Sequence, residues 1–143
     1  MTSATGPDLA CFGYLAHAQV IRVGAYPQAN AGAAVGEVIA SLAGDAPITA
    51  ITAARLGHGA SLVANRVGLD PPGQAVLDML DSAGVAHRCQ PAAASGRSTP
   101  QVTVVTDDAG TRTWFAWLGP AVDHLTTVDL SPLRGAVWIT AII

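Results

Sequence analysis

Candidate nucleophiles and metal ligands are few in this chain of 143 residues, and they lie far apart. The four histidines stand at positions 17, 58, 87 and 124, without the spacing that places two imidazoles on one metal ion. Cys11 and Cys89 form no Cys-x-x-Cys pair of the redox or zinc-binding kind. We expect the histidines to be surface or satisfied core residues and the cysteines to be small core residues. The sequence therefore predicts no catalytic residue and no metal ligand.

Glycine-rich phosphate-binding turns are the next chemistry to consider. A P-loop requires Gly-Lys-Ser or Gly-Lys-Thr, and the chain contains no lysine. Gly57-His58-Gly59 resembles the start of a dinucleotide-binding turn, but Leu62 stands where the third glycine belongs. That turn also follows a helical pattern instead of a strand. We therefore predict no nucleotide-binding residue in this sequence.

Charge and hydropathy exclude two classes of partner. The net charge is -3 and the arginines are scattered singly, so no basic surface is available to a nucleic-acid backbone. No apolar run approaches the roughly 20 residues that span a membrane, and no basic residue precedes Arg22 to begin a secretory signal. Two cysteines are too few for a disulfide framework, which favours a reducing compartment. We expect a cytoplasmic protein that binds neither nucleic acid nor membranes.

The elements that must position any site begin with a βαβ unit between residues 53 and 85. Asp70 can accept hydrogen bonds from the first turn of a helix, and Pro71 suits the first helical position. Gly84 can end that helix in a left-handed turn, so we place the helix at residues 70–83. Apolar residues recur within it at three- and four-residue steps, which indicates that one face is buried. The unit predicts a parallel sheet.

The same α/β pattern extends towards the N-terminus. A helix is predicted at residues 45–56, with Asp45 as its N-cap. Residues 1–8 are small and polar and predict a flexible leader, followed by a single domain over 9–143. Buried strands are predicted at 9–15, 60–65 and 85–89.

Further extended segments have a different character. Residues 101–106 and 113–118 are β-rich and flank turn-type residues at 107–112, which is the pattern of an antiparallel hairpin. Phe115 and Trp117 stand two residues apart in the second arm and should share one face. Two additional extended pieces are predicted at 19–23 and 35–42.

The C-terminal residues 137–143 form an apolar run that predicts a strand buried on both faces. Such a strand needs neighbours at both edges and helices over both faces. We therefore expect that the chain is a truncated piece of a larger protein, or that a partner completes it.

Taken in order, the motifs of this chain resemble those of the ribokinase-like (pfkB-type) carbohydrate kinases. The resemblance implies an α/β fold, a three-layer αβα Rossmann-like sandwich with a small β-lid made from segments 17–42 and 100–118, of which this chain is the N-terminal part. It implies a sugar or nucleoside bound between lid and sheet, ATP and Mg²⁺ as cofactors, and a homodimer formed through the lid. The matching motifs are an opening strand with Gly13, Ala43-Gly44 before a helix ending in Ala-Ala-Arg55-Leu-Gly57, Val67-Gly68-x-Asp70-x-x-Gly73, Gly84-Val85, Ser98-Thr99-Pro100, the turn at 107–113 and Gly119-Pro-Ala121.

The chain also departs from the family pattern. The Gly-Ala-Gly-Asp motif that carries the family's catalytic aspartate and nucleotide-binding helix does not occur in the sequence. The resemblance therefore implies the N-terminal portion of an ATP-dependent sugar or nucleoside kinase that is not active alone. The family contacts its sugar through an asparagine, an aspartate and a second asparagine, where this chain has Ala16, Ala18 and Ile48. Either the substrate is unusual and less polar, which we slightly favour, or sugar binding has been lost.

Two residues remain as candidates for substrate binding. Gly44 matches the family's sugar-binding turn, although a glycine before a helix can equally serve backbone geometry alone. Gln101 stands at the base of the predicted hairpin, where its amide could reach a ligand or remain in solvent. The alternative for the whole chain is a non-catalytic α/β binding or assembly module derived from the kinase fold.

Overall fold

A computed structural model describes residues 6–91, 96–119 and 121–142 and contains two four-stranded sheets. We call the first sheet, in the order β5-β4-β1-β8, the core sheet, and the second, β3-β2-β6-β7, the lid sheet. The elements are β1 (Leu9–Phe12), β2 (Ala16–Val23), β3 (Val35–Ala43), α1 (Asp45–Arg55), β4 (Ala60–Val63), α2 (Pro71–Ser82), β5 (Ala86–His87), β6 (Gln101–Thr106), β7 (Arg112–Trp117), α3 (Ala121–Leu125), a 3₁₀ turn (Ser131–Leu133) and β8 (Trp138–Ala141).

The core sheet is parallel throughout and has helical structure on both faces. α1 and α2 pack on one face, where Leu62 belongs to a buried cluster with Val76 and Leu80. Ser61 and Val63 alternate to the other face, which the segment from α3 to the 3₁₀ turn covers. The predicted three-layer αβα sandwich is therefore the fold of the described residues.

The two long helices begin differently. At α2 the prediction is confirmed, because Asp70 is the N-cap and its Oδ1 accepts a hydrogen bond from the Gly73 N–H at 2.8 Å. At α1 the N-cap is Gly44, with φ of 116°, and Asp45 lies inside the first turn without capping it. The prediction of Asp45 as N-cap is wrong, because the chain leaves β3 in a backbone conformation that favours glycine.

The lid sheet joins an antiparallel pair, β2 and β3, to the hairpin of β6 and β7 through a parallel contact between β2 and β6. The predicted hairpin is confirmed, with Asp107 Oδ1 accepting from the Thr111 N–H at 2.9 Å across its turn. Strand β2 begins at Ala16, three residues earlier than predicted. The small residues at its start give little β signal, and pairing with β3 and β6 imposes the extended form.

The C-terminal strand differs from its prediction. β8 pairs with β1 along one edge only among the described residues, and Trp138 and Ile139 are 72% and 57% exposed. The prediction of a strand buried on both faces is wrong for this part of the chain, because no described element packs beyond β8. Residue 143 of that predicted strand lies outside the described residues.

Backbone pairing begins before β1. The carbonyls of Pro7 and Asp8 accept hydrogen bonds from the N–H groups of Val137 and Trp138, at 3.2 and 3.0 Å. Residues 1–5 of the expected leader lie outside the described residues. Across the described chain, no helix combines the length and apolar character needed to cross a membrane.

Candidate functional site

The strand order of the core sheet locates a crevice. From β1 the chain proceeds to β4 and then β5 on one side, whereas β8 adds to the other side of β1. The crossover through α1 lies on one face, and the α3 segment that leads to β8 lies on the opposite face. In open α/β sheets, ligands bind outside the carboxyl ends of the strands where the connections diverge in this way. The candidate site is therefore the crevice at the carboxyl ends of β1 and β8.

Two glycines bring the backbone together at this crevice. The Ile142 N–H donates to the Phe12 carbonyl at 2.9 Å, and a Cβ on Gly13 would overlap the Ile142 carbonyl oxygen and lie 2.8 Å from the Cβ of Ala46. A Cβ on Gly44 would overlap the carbonyl oxygen of Tyr14. Gly44 therefore packs directly against the backbone of Tyr14, and this contact requires a glycine. Its role in substrate binding stays a prediction.

The polar groups at the crevice come from the start of α1 and from Tyr14. Among the described residues no side chain caps the first turn of α1, so the N–H groups of Asp45 and Ala46 have no side-chain acceptor. Pro47 has no N–H, and the Ile48 N–H donates to the Gly44 carbonyl at 3.2 Å. Burial, and then the nearby charge of Asp45, raise the pKa of Tyr14, and the phenol is protonated at neutral pH. Sequence reasoning missed both side chains: Asp45 was assigned to capping, and Tyr14 lay inside a predicted apolar strand.

The strand register of the lid sheet places Gln101 on a different face from Ala16 and Ala18. Gln101 pairs with His17, and Ala18 pairs with Val102, so Gln101 points to the lid face opposite that of Ala16 and Ala18. Gln101 is exposed, whereas both alanines are buried. The Gln101 amide and the two alanines therefore lie on opposite faces of the lid sheet.

Ile48 faces a different depression. It is 48% exposed and lines a groove of about 770 Å³ between α1 and α2, together with Leu42 of the lid base and Met79 of α2. An isoleucine offers no hydrogen bond to a substrate hydroxyl there.

The histidines serve local structure with one exception. His124 Nδ1 accepts from the Arg66 N–H at 3.1 Å, and burial followed by Arg97 and Arg66 lowers the pKa of His124. His87 Nε2 lies 2.9 Å from Asp81 Oδ1. The Nδ1 atom of His17 is buried and has no hydrogen-bond partner among the described residues, so the prediction of a satisfied core residue is wrong there.

Groups that could hold a cofactor are scarce. Within the described ranges, no three His, Cys, Asp or Glu side chains come close enough together to bind a metal ion. The family resemblance implies ATP and Mg²⁺, but the described residues offer no lysine for a phosphate and no carboxylate cluster for the cation. They therefore do not fit these groups.

Comparisons with solved structures agree with the fold. A candidate ribokinase from Agrobacterium tumefaciens is 26% identical, with a TM-score of 0.68 over 78% of this chain and 36% of its own. Ribokinase from Giardia lamblia is 19% identical, with a TM-score of 0.75 over 94% of this chain and 41% of its own. Arabidopsis thaliana ribokinase, solved with ribose and ATP, is 17% identical, with a TM-score of 0.57 over 78% and 36%. The chain thus spans well under half the length of these structures.

The sequence comparison identifies the family. No curated protein matches the chain. The sequence model described as pfkB family carbohydrate kinase matches residues 7–134, which is most of the chain. The match includes every described strand and helix except β8. The chain belongs to the pfkB family of carbohydrate kinases.

Proposed function

We propose that this chain supplies the acceptor side of an ATP-dependent sugar or nucleoside kinase of the cytoplasm. The observation that carries the proposal is the lid sheet, whose strands leave the core beside the crevice at the carboxyl ends of β1 and β8. A small polar molecule bound there would lie between the lid and the start of α1. Membership of the pfkB family supports phosphoryl transfer to a hydroxyl as the reaction of the whole enzyme.

In this proposal the chain binds and orients the acceptor. Backbone donors of the first turn of α1, next to Gly44, face the hydroxyl oxygens of the substrate. The Tyr14 phenol and the Asp45 carboxylate provide a donor and an acceptor. Because Gln101 points to the lid face opposite that of Ala16 and Ala18, the proposal gives its amide no contact with the acceptor. ATP supplies the phosphoryl group, and its site and that of Mg²⁺ lie in residues other than those described. The 143-residue chain alone is therefore not expected to transfer phosphate.

The preferred acceptor is less polar than ribose. Ala16 and Ala18 offer no side-chain hydrogen bonds, and a buried hydroxyl without a partner costs about 1–3 kcal/mol. A molecule with fewer hydroxyl groups avoids this cost, and one with an aromatic base offsets it by stacking. Trp114 in β7 is exposed, lies on the same lid face as Ala18 and is available to stack on such a base.

Ligand-observed NMR on the chain, with D-ribose, 2-deoxy-D-ribose and adenosine as probes, tests the acceptor site. We expect adenosine to bind more tightly than ribose, and Tyr14→Phe to weaken that binding. Gln74→Ala, on the exposed side of α2, is the matched control and should have no effect. If none of the three probes binds, the proposed acceptor site is wrong.

Phosphoryl transfer is tested separately by ³¹P NMR of the chain with ATP, Mg²⁺ and each probe. We expect no sugar phosphate or nucleoside phosphate to form. Formation of either product would contradict the assignment of the donor site to other residues.

The second candidate function is a non-catalytic binding or assembly module that pairs through the lid. Both faces of the lid sheet expose large apolar side chains, including Ile39 and Trp114 on one face and Val38 and Phe115 on the other. We propose that a second copy of the chain covers one of these faces. The sequence of the encoding gene beyond the codon for Ile143 discriminates the two functions, because an in-frame Gly-Ala-Gly-Asp favours the kinase and a stop favours the module.

A further inference from the structure

The two central strands of the lid sheet, β2 and β6, are held at their bases by one short segment of the core. That segment, residues 65–70, links the end of β4 to the start of α2. Strand β2 is entered from Leu15, and β6 is entered from Thr99 and Pro100. Each entry point is hydrogen-bonded to a buried or half-buried polar side chain of this segment, which we call the anchor segment.

Asn65 holds the first entry point. Its side chain is fully buried, and its Oδ1 accepts from the Leu15 N–H at 2.8 Å. Its Nδ2 donates to the Leu15 carbonyl at 3.0 Å and to the Arg66 carbonyl at 3.2 Å. One amide therefore satisfies both backbone groups of a residue 50 positions away in sequence. An apolar residue at this position would leave the Leu15 N–H and carbonyl buried without partners.

Asp70 holds the second entry point in addition to capping α2. Its Oδ2 accepts from the Thr99 N–H at 2.9 Å, and its Oδ1 accepts from the Thr99 hydroxyl. The Thr99 oxygen accepts in turn from the Gly68 N–H at 2.9 Å, and Thr99 is fully buried. Glycine is required at 68 and 73, because a Cβ at either position would overlap backbone or the Asp70 carboxylate. The contact is thus closely packed as well as hydrogen-bonded.

The two anchored points are also joined to each other. The His17 N–H donates to the Pro100 carbonyl at 2.9 Å, at the end of the pairing between β2 and β6 that is nearest to Leu15 and Thr99. Leu15, Thr99 and the anchor segment therefore form one connected unit. The hydrogen bond from the Gly73 N–H to Asp70 is sufficient to cap α2. Helix stability therefore explains neither the hydrogen bonds between Asp70 and Thr99 nor those between Asn65 and Leu15.

We propose that Asn65 and Asp70 are positioning residues that set the lid sheet over the crevice, Asn65 through Leu15 and Asp70 through Thr99. The inference rests on the proposed function only in treating the second sheet as a lid. It requires no contact between these two residues and the substrate. Loss of either anchor should release the base of the lid while the core sheet stays folded.

Hydrogen exchange with mass spectrometry on the 143-residue chain tests this separation. Asp70→Ser keeps an N-cap hydroxyl for α2 but cannot reach Thr99. Thr99→Val removes the hydroxyl from the lid side, and Thr99→Ser retains it. Asp78→Asn, an exposed change on α2, is the matched control.

In Asp70→Ser and Thr99→Val we expect amide protection at the bases of β2 and β6 to fall by roughly tenfold or more, and by clearly more than the protection of β4 and α1. Asn65→Leu should act similarly on β2, whereas Thr99→Ser and Asp78→Asn should match the wild type. Equal loss of protection in lid and core would show a purely structural role and overturn the proposal. Unchanged lid protection in Thr99→Val would also overturn it. This variant changes no residue of the anchor segment, so it remains a test if Asn65→Leu fails to fold. Neither outcome depends on ligand binding, so failure here is distinct from failure of the proposed function.

Discussion

At the scale of single residues, Gly44 combines a positive φ with a contact that excludes a side chain. Gly57 also has a positive φ, of 88°, but a Cβ there would meet nothing within 4 Å. We therefore expect Gly57→Ala to lower the free energy of unfolding by about 1–2 kcal/mol. Gly44→Ala should cost clearly more, because overlap with the Tyr14 carbonyl adds to the backbone strain. Urea denaturation followed by circular dichroism measures both values, and equal losses would contradict the close contact at the crevice.

The Asp70 carboxylate gives the chain a specific dependence on pH. Burial alone would raise the pKa of Asp70, but hydrogen bonds from the Thr99 hydroxyl, the Thr99 N–H and the Gly73 N–H, with His17 nearby, hold that pKa below the ordinary value. Stability from this group is therefore complete above the ordinary aspartate pKa of about 4 and is lost as pH falls through the lower folded-state pKa.

This dependence can be isolated by comparing wild type with Asp70→Ser. Asp107 and Asp129 also have lowered pKa values, but their contributions are common to both proteins and cancel. We expect the difference in unfolding free energy to be largest at neutral pH and to shrink once pH falls below the folded-state pKa. Urea titrations from neutral to strongly acidic pH measure it, and a difference that stays constant would contradict the role of the charge.

At the scale of elements, local signals predicted α2 and the β6–β7 hairpin closely. Asp70 and Pro71 mark the helix start, and the turn residues 107–112 mark the hairpin, through contacts only a few positions apart. The start of β2 and the cap of α1 were not predicted, because strand pairing and the Tyr14 carbonyl decide them. The same distinction holds for single residues. Gly44 belongs to a short motif that can be recognised in the sequence, whereas the contact of Asn65 with Leu15 joins residues 50 positions apart and leaves no local signal.

The edge strand β8 carries a prediction of its own. Its outer edge has no partner among the described residues, and exposed apolar strands pair readily with other chains. We expect the isolated chain to self-associate and Ile139→Lys to reduce that association, with the unfolding free energy changed by no more than about 0.5 kcal/mol. Sedimentation velocity over a concentration series measures the association. Leu69→Lys is the control, because Leu69 is similarly apolar, more exposed than Ile139 and outside any strand. An equal reduction of association in both variants would show that β8 is not the contact.

At the scale of the whole molecule, the two sheets differ in how they are stabilised. The central strands β1 and β4 of the core sheet are buried between helical layers, and the principal buried cluster includes Leu15, Val76 and Leu80. The lid sheet is largely exposed, and its outer strand β7 is exposed along its whole length. We therefore expect the lid to open at a lower free energy than the core.

The two thiols report opening of the core independently of the lid. Cys11 lies in β1 and Cys89 follows β5, and both are free and fully buried. Burial raises the pKa of both thiols, that of Cys89 to about 12, so neither forms the reactive thiolate in the folded state. With a water-soluble disulfide reagent at pH 8, we expect labelling of both only through unfolding of the core. Gly44→Ala, which strains the crevice at the end of β1, should accelerate labelling, whereas Thr99→Val, which releases the lid, should not. Equal acceleration in both variants would mean that lid and core open as one unit. Fast labelling of the wild type would contradict the burial of the two thiols in the core.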